Sequence, residues 1–258
     1  MISLESGLAL VVFAMATGLA LGTLGAGGAI LALPAFTYAA HLPQREASAT
    51  SLLVVGTAAL IGGLLTLVRC RKNPDEPRPD FKVALPFLLS GLVGAWCGAK
   101  ASKLVPELAL KLLFGAIVLA AAEAMYLRAM SPKAAPSRRA LPLWLGPLLG
   151  GLVGLMTGLV GVGGGFMIVP ALTVMGKLSL KQASATSVWI IAGNAAAALV
   201  GYVGHVHIAW GLAGAFLAVT LIAMQVGQSL ARRANPKVLQ LTFAGFLLVI
   251  GALTLLKH

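Results

Sequence analysis

The chain has 258 residues, of which 59% are hydrophobic and only 10% charged, with a mean hydropathy of +0.96. A water-soluble domain carries about 25% charged residues, so this chain lacks the polar surface to remain in water. Its net charge of +12 does not indicate nucleic acid, because the basic residues fall in short segments between apolar runs, as in membrane proteins.

The N-terminal segment "MISLESGLAL" has no basic flank, so no cleaved signal peptide is expected. A first apolar run, 7–40, contains "GTLGAGGAILALP" (Gly22 to Pro34), with Gly25, Gly27 and Gly28 close together. Runs at 46–68, 83–102 and 107–128 follow. The segment 131–140 is polar, basic and Pro-containing, and reads as an exposed linker. A second long run, 141–176, contains "GLVGVGGGFMIVP" (Gly158 to Pro170), and three further runs follow at 182–204, 208–231 and 237–256. Most runs have the ~20 residues that cross a ~30 Å hydrocarbon core. The ten-residue alternating strands of a membrane barrel do not occur. The fold class is therefore an all-α polytopic membrane protein.

Shifting the sequence by 136 positions brings the halves into register. Gly25 meets Gly161, Gly27 meets Gly163, Gly28 meets Gly164, Pro34 meets Pro170, and "ASATS" at 47–51 meets the identical "ASATS" at 183–187. After a shorter loop, Gly98 meets Gly227 and Pro106 meets Pro236. One offset shared by separate motifs reads as a duplication, a common way to build transporters. The first repeat is 1–130 and the second 141–258. Each is a glycine-broken helical hairpin (7–40 or 141–176) followed by three transmembrane helices.

Loop charges give the orientation. If each long run crosses once, ten Lys and Arg residues face nine, which orients nothing. If each run folds back at its glycines, fourteen face five, the asymmetry that the positive-inside rule expects. The expectation is therefore two inverted repeats, with the termini outside and the linker and the 69–82 loop in the cytoplasm. Thirty-four residues make about 51 Å of helix, so two half-length limbs with a tip inside the membrane are expected.

A broken helix is tolerable at that depth only where its backbone is buried in protein or faces water. Glycine there permits a tight turn and close approach of N–H groups to a ligand. The helices after the tips, from about Ala29 and Gly165, begin with unpaired N–H donors and a positive dipole end. Two such ends directed at one cavity form an anion site without Lys or Arg. No span carries a charged residue near its centre, whereas a cation site normally includes an intramembrane carboxylate.

The doubled "GxGG…P" segment, each copy followed by "A-x-x-T-S", resembles the TauE/SafE family of membrane transporters over nearly the whole chain. The resemblance implies export of sulfite or organosulfonates across the inner membrane. The family motif maps onto Gly25, Gly27, Gly28 and Pro34, and onto Gly161, Gly163, Gly164, Gly165 and Pro170. In the first copy Ala29 stands where the second has Gly165, so the tips need not contact ligand alike.

Candidate substrate-binding residues are thus Gly25, Gly27, Gly28, Ala29, Gly161, Gly163, Gly164 and Gly165 at the tips, and the hydroxyls of Thr50, Ser51, Thr186 and Ser187. Asn194 and Gln225, read as mid-span amides, complete the set. The hydroxyls could instead bond to helix carbonyls, and the amides could link helices. His205 and His207 lack further ligands for a metal, and Cys70 and Cys97 form no ligand spacing. No nucleophile–base pair, GxSxG or HExxH is present, and the glycine loops lack the Gly-Lys-Ser/Thr of a nucleotide site. The reading is a non-enzymatic transporter without cofactor, working by alternating access, whose partners are a small sulfur anion and the lipid bilayer. Homo-oligomerisation is compatible with it. Transport of another small anion (thiosulfate, sulfate or a carboxylate) and a non-transporting membrane assembly role are the alternatives.

Overall fold

The computed structural model describes residues 4–24, 28–73, 76–130, 145–175, 178–204, 206–231 and part of 241–254. The described secondary structure is helical: α1 (Leu4–Leu24), α2 (Ala29–Pro34), α3 (Gln44–Lys72), α4 (Phe81–Ala101), α5 (Glu107–Met130), α6 (Leu145–Val160), α7 (Gly165–Met175), α8 (Leu180–Tyr202) and α9 (Trp210–Ala231). Described residues between 241 and 254 are helical as well. Among the described residues, five helices are long and apolar enough to cross a membrane: Glu5–Thr23, Gln44–Lys72, Phe81–Ala101, Lys181–Tyr202 and Trp210–Leu230.

Both long runs break where the glycines lie, between α1 and α2 and between α6 and α7. The limbs are unequal, which corrects the half-length expectation. α1 has 21 residues, about 32 Å at 1.5 Å per residue, and by itself matches a membrane crossing. The return limb is short: α2 has 6 residues and continues into a wider π-type turn, Ala35–Ala39, of 5 residues. Pro34 ends α2. Its ring carries no N–H to bond the Ile30 carbonyl one turn earlier, and the turn after it is closed by the Ala40 N–H donating to the Ala35 carbonyl at 3.1 Å. The second return limb, α7, has 11 residues and contains Pro170.

Large apolar side chains such as Phe36, Phe87 and Ile190 fill the core, and others cover the outer faces of the helices. Phe81, Leu85, Leu89, Val93 and Trp96 form an exposed stripe on α4, and Leu60, Leu64 and Val68 one on α3. In lipid, outward leucines cost nothing, and helices gain by close contact through small residues. That contact is closest where α4 packs along α6 and α1 along α9. A Cβ on Gly154 would stand 2.1 Å from the Gly91 carbonyl oxygen, and one on Gly158 2.0 Å from that of Ala95. At the corresponding positions, a Cβ on Gly18 would stand 2.3 Å from the Thr220 carbonyl oxygen, and one on Gly22 2.2 Å from that of Met224. Gly98 against the Leu155 carbonyl, 2.2 Å, is matched by Gly227 against the Leu19 carbonyl, 2.6 Å. Only glycine permits backbones this close. The same three contacts thus occur twice, each joining the first helix of one half to a later helix of the other.

α3 and α8 pack against each other in opposite directions, with Gly56 facing Ala195 and Gly63 facing Trp189. Hydrogen bonds fix their ends. The N–H of Asp80, which caps α4, donates to Thr186 Oγ1 near the start of α8 at 3.0 Å. The N–H of Ala209, just before α9, donates to Thr50 Oγ1 near the start of α3 at 3.4 Å. Arg45 donates to the carbonyls of Ser102, Lys103 and Val105, fastening the α4–α5 loop at that same end of α3.

Candidate functional site

α6 ends at Val160, and the chain turns through Gly161 to Gly164 before α7 begins at Gly165. Gly161 has φ +81° and Gly164 φ +61°, left-handed values that a side chain resists. The tip is buried throughout. A Cβ on Gly161 would collide with Ser48 Cβ at 2.2 Å, and one on Gly164 with Thr157 Oγ1 at 2.6 Å. In the first half, Gly28 precedes α2 and lies against the backbone of Thr17 and Leu21. Gly25 and Gly27 lie outside the described residues.

The two interrupted segments meet. A Cβ on Gly163 would stand 3.0 Å from Ala29 Cβ, at the first residue of α2, and 2.7 Å from Val55 and 3.3 Å from Ile191. Val55 and Ile191 are themselves one 136-residue shift apart, so Gly163 lies where the two halves face each other. Ala29, Val55 and Ile191 are each 0% exposed.

Two serines of the first ASATS segment hold the second break. Ser48 Oγ donates to the Val160 carbonyl at 2.8 Å, and Ser51 Oγ to the Gly161 carbonyl at 2.6 Å, with the Ser48 carbonyl 2.9 Å away as the alternative acceptor for its single hydrogen. These bonds satisfy carbonyls at the end of α6 that have no helical partner. On the donor side, the amides of Gly163, Gly164 and Gly165 meet no backbone acceptor among the described residues. They form the unpaired start of α7.

The remaining candidates divide. Thr50 and Thr186 accept backbone N–H groups as described above, and Thr186 also donates to the Gln182 carbonyl at 2.8 Å. Ser187 Oγ donates to the Ser184 carbonyl at 2.9 Å. Asn194 is fully buried, and neither its Oδ1 nor its Nδ2 has a hydrogen-bond partner among the described residues. It faces Gly91 of α4, where a Cβ would meet Oδ1 at 2.5 Å. Asn194 follows Ile191 by three residues, which places it one helical turn from the tip contact on nearly the same face. Gln225 is exposed and accepts from Arg69 Nη2 at 2.8 Å, so it links α9 to α3 away from the tip.

Sequence reasoning missed Thr17 and Thr157. Both are fully buried on the first limbs of the hairpins beside Gly28 and Gly164, and neither Oγ1 has a partner among the described residues. The detectable signal was a hydroxyl inside an apolar run within a helical turn or two of each glycine cluster. Among the described residues no group of three metal-ligating side chains occurs; His205 lies outside them. Cys70 is buried and Cys97 exposed, both as free thiols.

Apolar helices of membrane-crossing length, packed around two interrupted ones, define a multi-pass membrane transporter. The chain belongs to the family described as sulfite exporter TauE/SafE, which matches residues 6–254. It is 27% identical to a probable membrane transporter protein of Xylella fastidiosa (strain Temecula1), over 84% of this chain and 82% of the relative. It is 24% identical to the probable membrane transporter protein YunE of Bacillus subtilis (strain 168), over 94% of each. Identity to the probable membrane transporter protein MJ0441 of Methanocaldococcus jannaschii is 28%, over 92% of this chain and 91% of the relative. These relatives are named as transporters, not enzymes. No solved structure matches significantly.

Proposed function

We propose that this protein exports a small sulfur oxyanion, sulfite or a short organosulfonate, across the inner membrane by alternating access. In this reading it is built of two inverted repeats, 1–130 and 141–258, joined by a cytoplasmic linker at 131–140. The observation that carries the proposal is the meeting of Gly163 with Ala29 between Val55 and Ile191. The start of one return helix there touches the turn preceding the other. Unpaired amides gathered at such a point suit a negatively charged oxygen.

The end-to-end contacts support the inverted arrangement. Arg69 bonds to Gln225 and Gln228, and Asp80 to Thr186. Single crossings of both long runs would put the two members of each pair on opposite membrane faces, whereas turned-back runs put them on one face. The duplicated glycine contacts of α1 with α9 and α6 with α4 support a two-fold relation between the halves. Rocking of the halves about that relation would expose the tips to each side in turn.

The test is flux into proteoliposomes holding the purified protein alone, with sulfite, sulfoacetate, thiosulfate and sulfate. Transport of sulfite or sulfoacetate is expected, and Gly163→Val is expected to abolish it while protein is still recovered. Transport of thiosulfate or sulfate alone would change the substrate assignment. No flux of any sulfur anion would overturn the function. Labelling that placed residues 45 and 181 on one membrane face would remove the inverted symmetry.

A further inference from the structure

Arg69 lies in the last turn of α3, half-buried against α9. Its Nη1 donates to Gln228 Oε1 and its Nη2 to Gln225 Oε1 at 2.8 Å. The two glutamines are three residues apart on one helix face, and together they fix the plane of the guanidinium. A guanidinium has five N–H donors, so these two bonds leave three without an acceptor among the described residues. The partners described for it are thus neutral amides, while Asp80 Oδ1, in the following loop, accepts from the N–H groups of Lys82 and Val83. Taking a cation partly out of water with only neutral partners is costly.

A planar, oriented fork of donors with a net positive charge matches two oxygens of a sulfonate or sulfite. The α3–α9 contact continues from the cluster toward the tip. Along α3 from Arg69, Gly62 lies beside Met224 of α9, where a Cβ would stand 3.4 Å from the soft Sδ atom. Beyond it Ala58, Leu21 and Met224 pack together, and Val55 touches Gly163 at the tip. The feature is one-sided: the 129-residue offset that relates Gly98 to Gly227 places Trp96 and Ala99 of α4 opposite Gln225 and Gln228.

We propose that Arg69, held by Gln225 and Gln228, is the docking site where a small oxyanion first binds at the cytoplasmic mouth of the α3–α9 seam. This assignment rests on the transport function and sidedness proposed above. A docking site acts on capture and not on passage, so it sets the concentration dependence of flux. In proteoliposomes of the full chain, Arg69→Gln is expected to raise the KM for sulfite about tenfold at an unchanged maximal rate. Arg69→Lys should recover part of that loss, and raised ionic strength should weaken wild type more than R69Q. An unchanged KM in R69Q overturns the proposal. So does a fall in maximal rate at constant KM, which would make Arg69 a latch between helices. If R69Q is not recovered folded, the double variant Q225L/Q228L decides in the same way, since it removes the orientation and keeps the charge. A wild-type protein that carries no sulfur anion would sink the transport function itself. A wild type that carries sulfite beside an R69Q of equal KM sinks only the docking site.

Discussion

Ser51 donates a 2.6 Å hydrogen bond to the carbonyl oxygen of Gly161, 110 residues further along the chain. It ties a segment of α3 to the break that opens α7, and both groups are buried. Removing the hydroxyl leaves a carbonyl in an apolar interior with no replacement donor, which costs about 1–3 kcal/mol. Ser51→Ala is therefore expected to lower the thermal midpoint in detergent and to reduce flux, because the tip loses its clamp. A midpoint equal to wild type would mean that another group holds Gly161.

The duplicated glycine contacts give a paired expectation. Gly158→Ala and Gly22→Ala each place a methyl about 2 Å from a backbone oxygen, so whole helices must separate. Overpacking of that kind costs about 1–3 kcal/mol or more. Both variants should lower the thermal midpoint by similar amounts. Gly214→Ala is the control: it is exposed on α9 with nothing within 4 Å of the added atom. It should be tolerated, with a gain of about 0.5–1 kcal/mol from helix propensity.

Thr186 and Thr50 form corresponding bonds of unequal length, 3.0 Å from the Asp80 amide and 3.4 Å from the Ala209 amide. The longer bond is the weaker. Thr186→Ala should destabilise by about 1 kcal/mol and Thr50→Ala by less. Serine at either position, which keeps the oxygen, should restore most of the loss. Comparing thermal midpoints of the four variants checks this, and equal losses at both sites would contradict the geometry.

Asn194 separates a packing role from a ligand role. Its amide is fully buried without partners among the described residues, a destabilising arrangement for a group used only in packing. Asn194→Leu is close in volume and removes the unpaired atoms, so stability should hold or rise. Flux should fall sharply, because one turn from the tip the amide is placed to meet a solute when the site opens. Retained flux with raised stability would assign Asn194 to packing alone.

The membrane class was legible from composition, because lipid as a solvent leaves no place for a charged surface. The recurrence of "ASATS" and the glycine clusters at one offset was legible directly. The positions of both breaks could be read too, since glycine and proline act on the backbone that carries them. Limb length was misjudged, because a 34-residue apolar run does not reveal how a break divides it. Gln225 looked like a mid-membrane amide until its partner, Arg69, 156 residues away, showed it at the end of a seam.

Each of these successes rests on local chemistry or on the solvent, which a sequence displays directly. Only the tertiary structure decided that Gly163 meets Ala29, that Ser48 and Ser51 hold the opposite break, and that glycines such as Gly154 admit another helix's carbonyl. Such contacts join groups more than 60 residues apart in the chain. A serine or glycine carries no mark of its distant partner: the pairing follows from how whole helices pack, with backbone approach limited by the smallest side chains at each crossing.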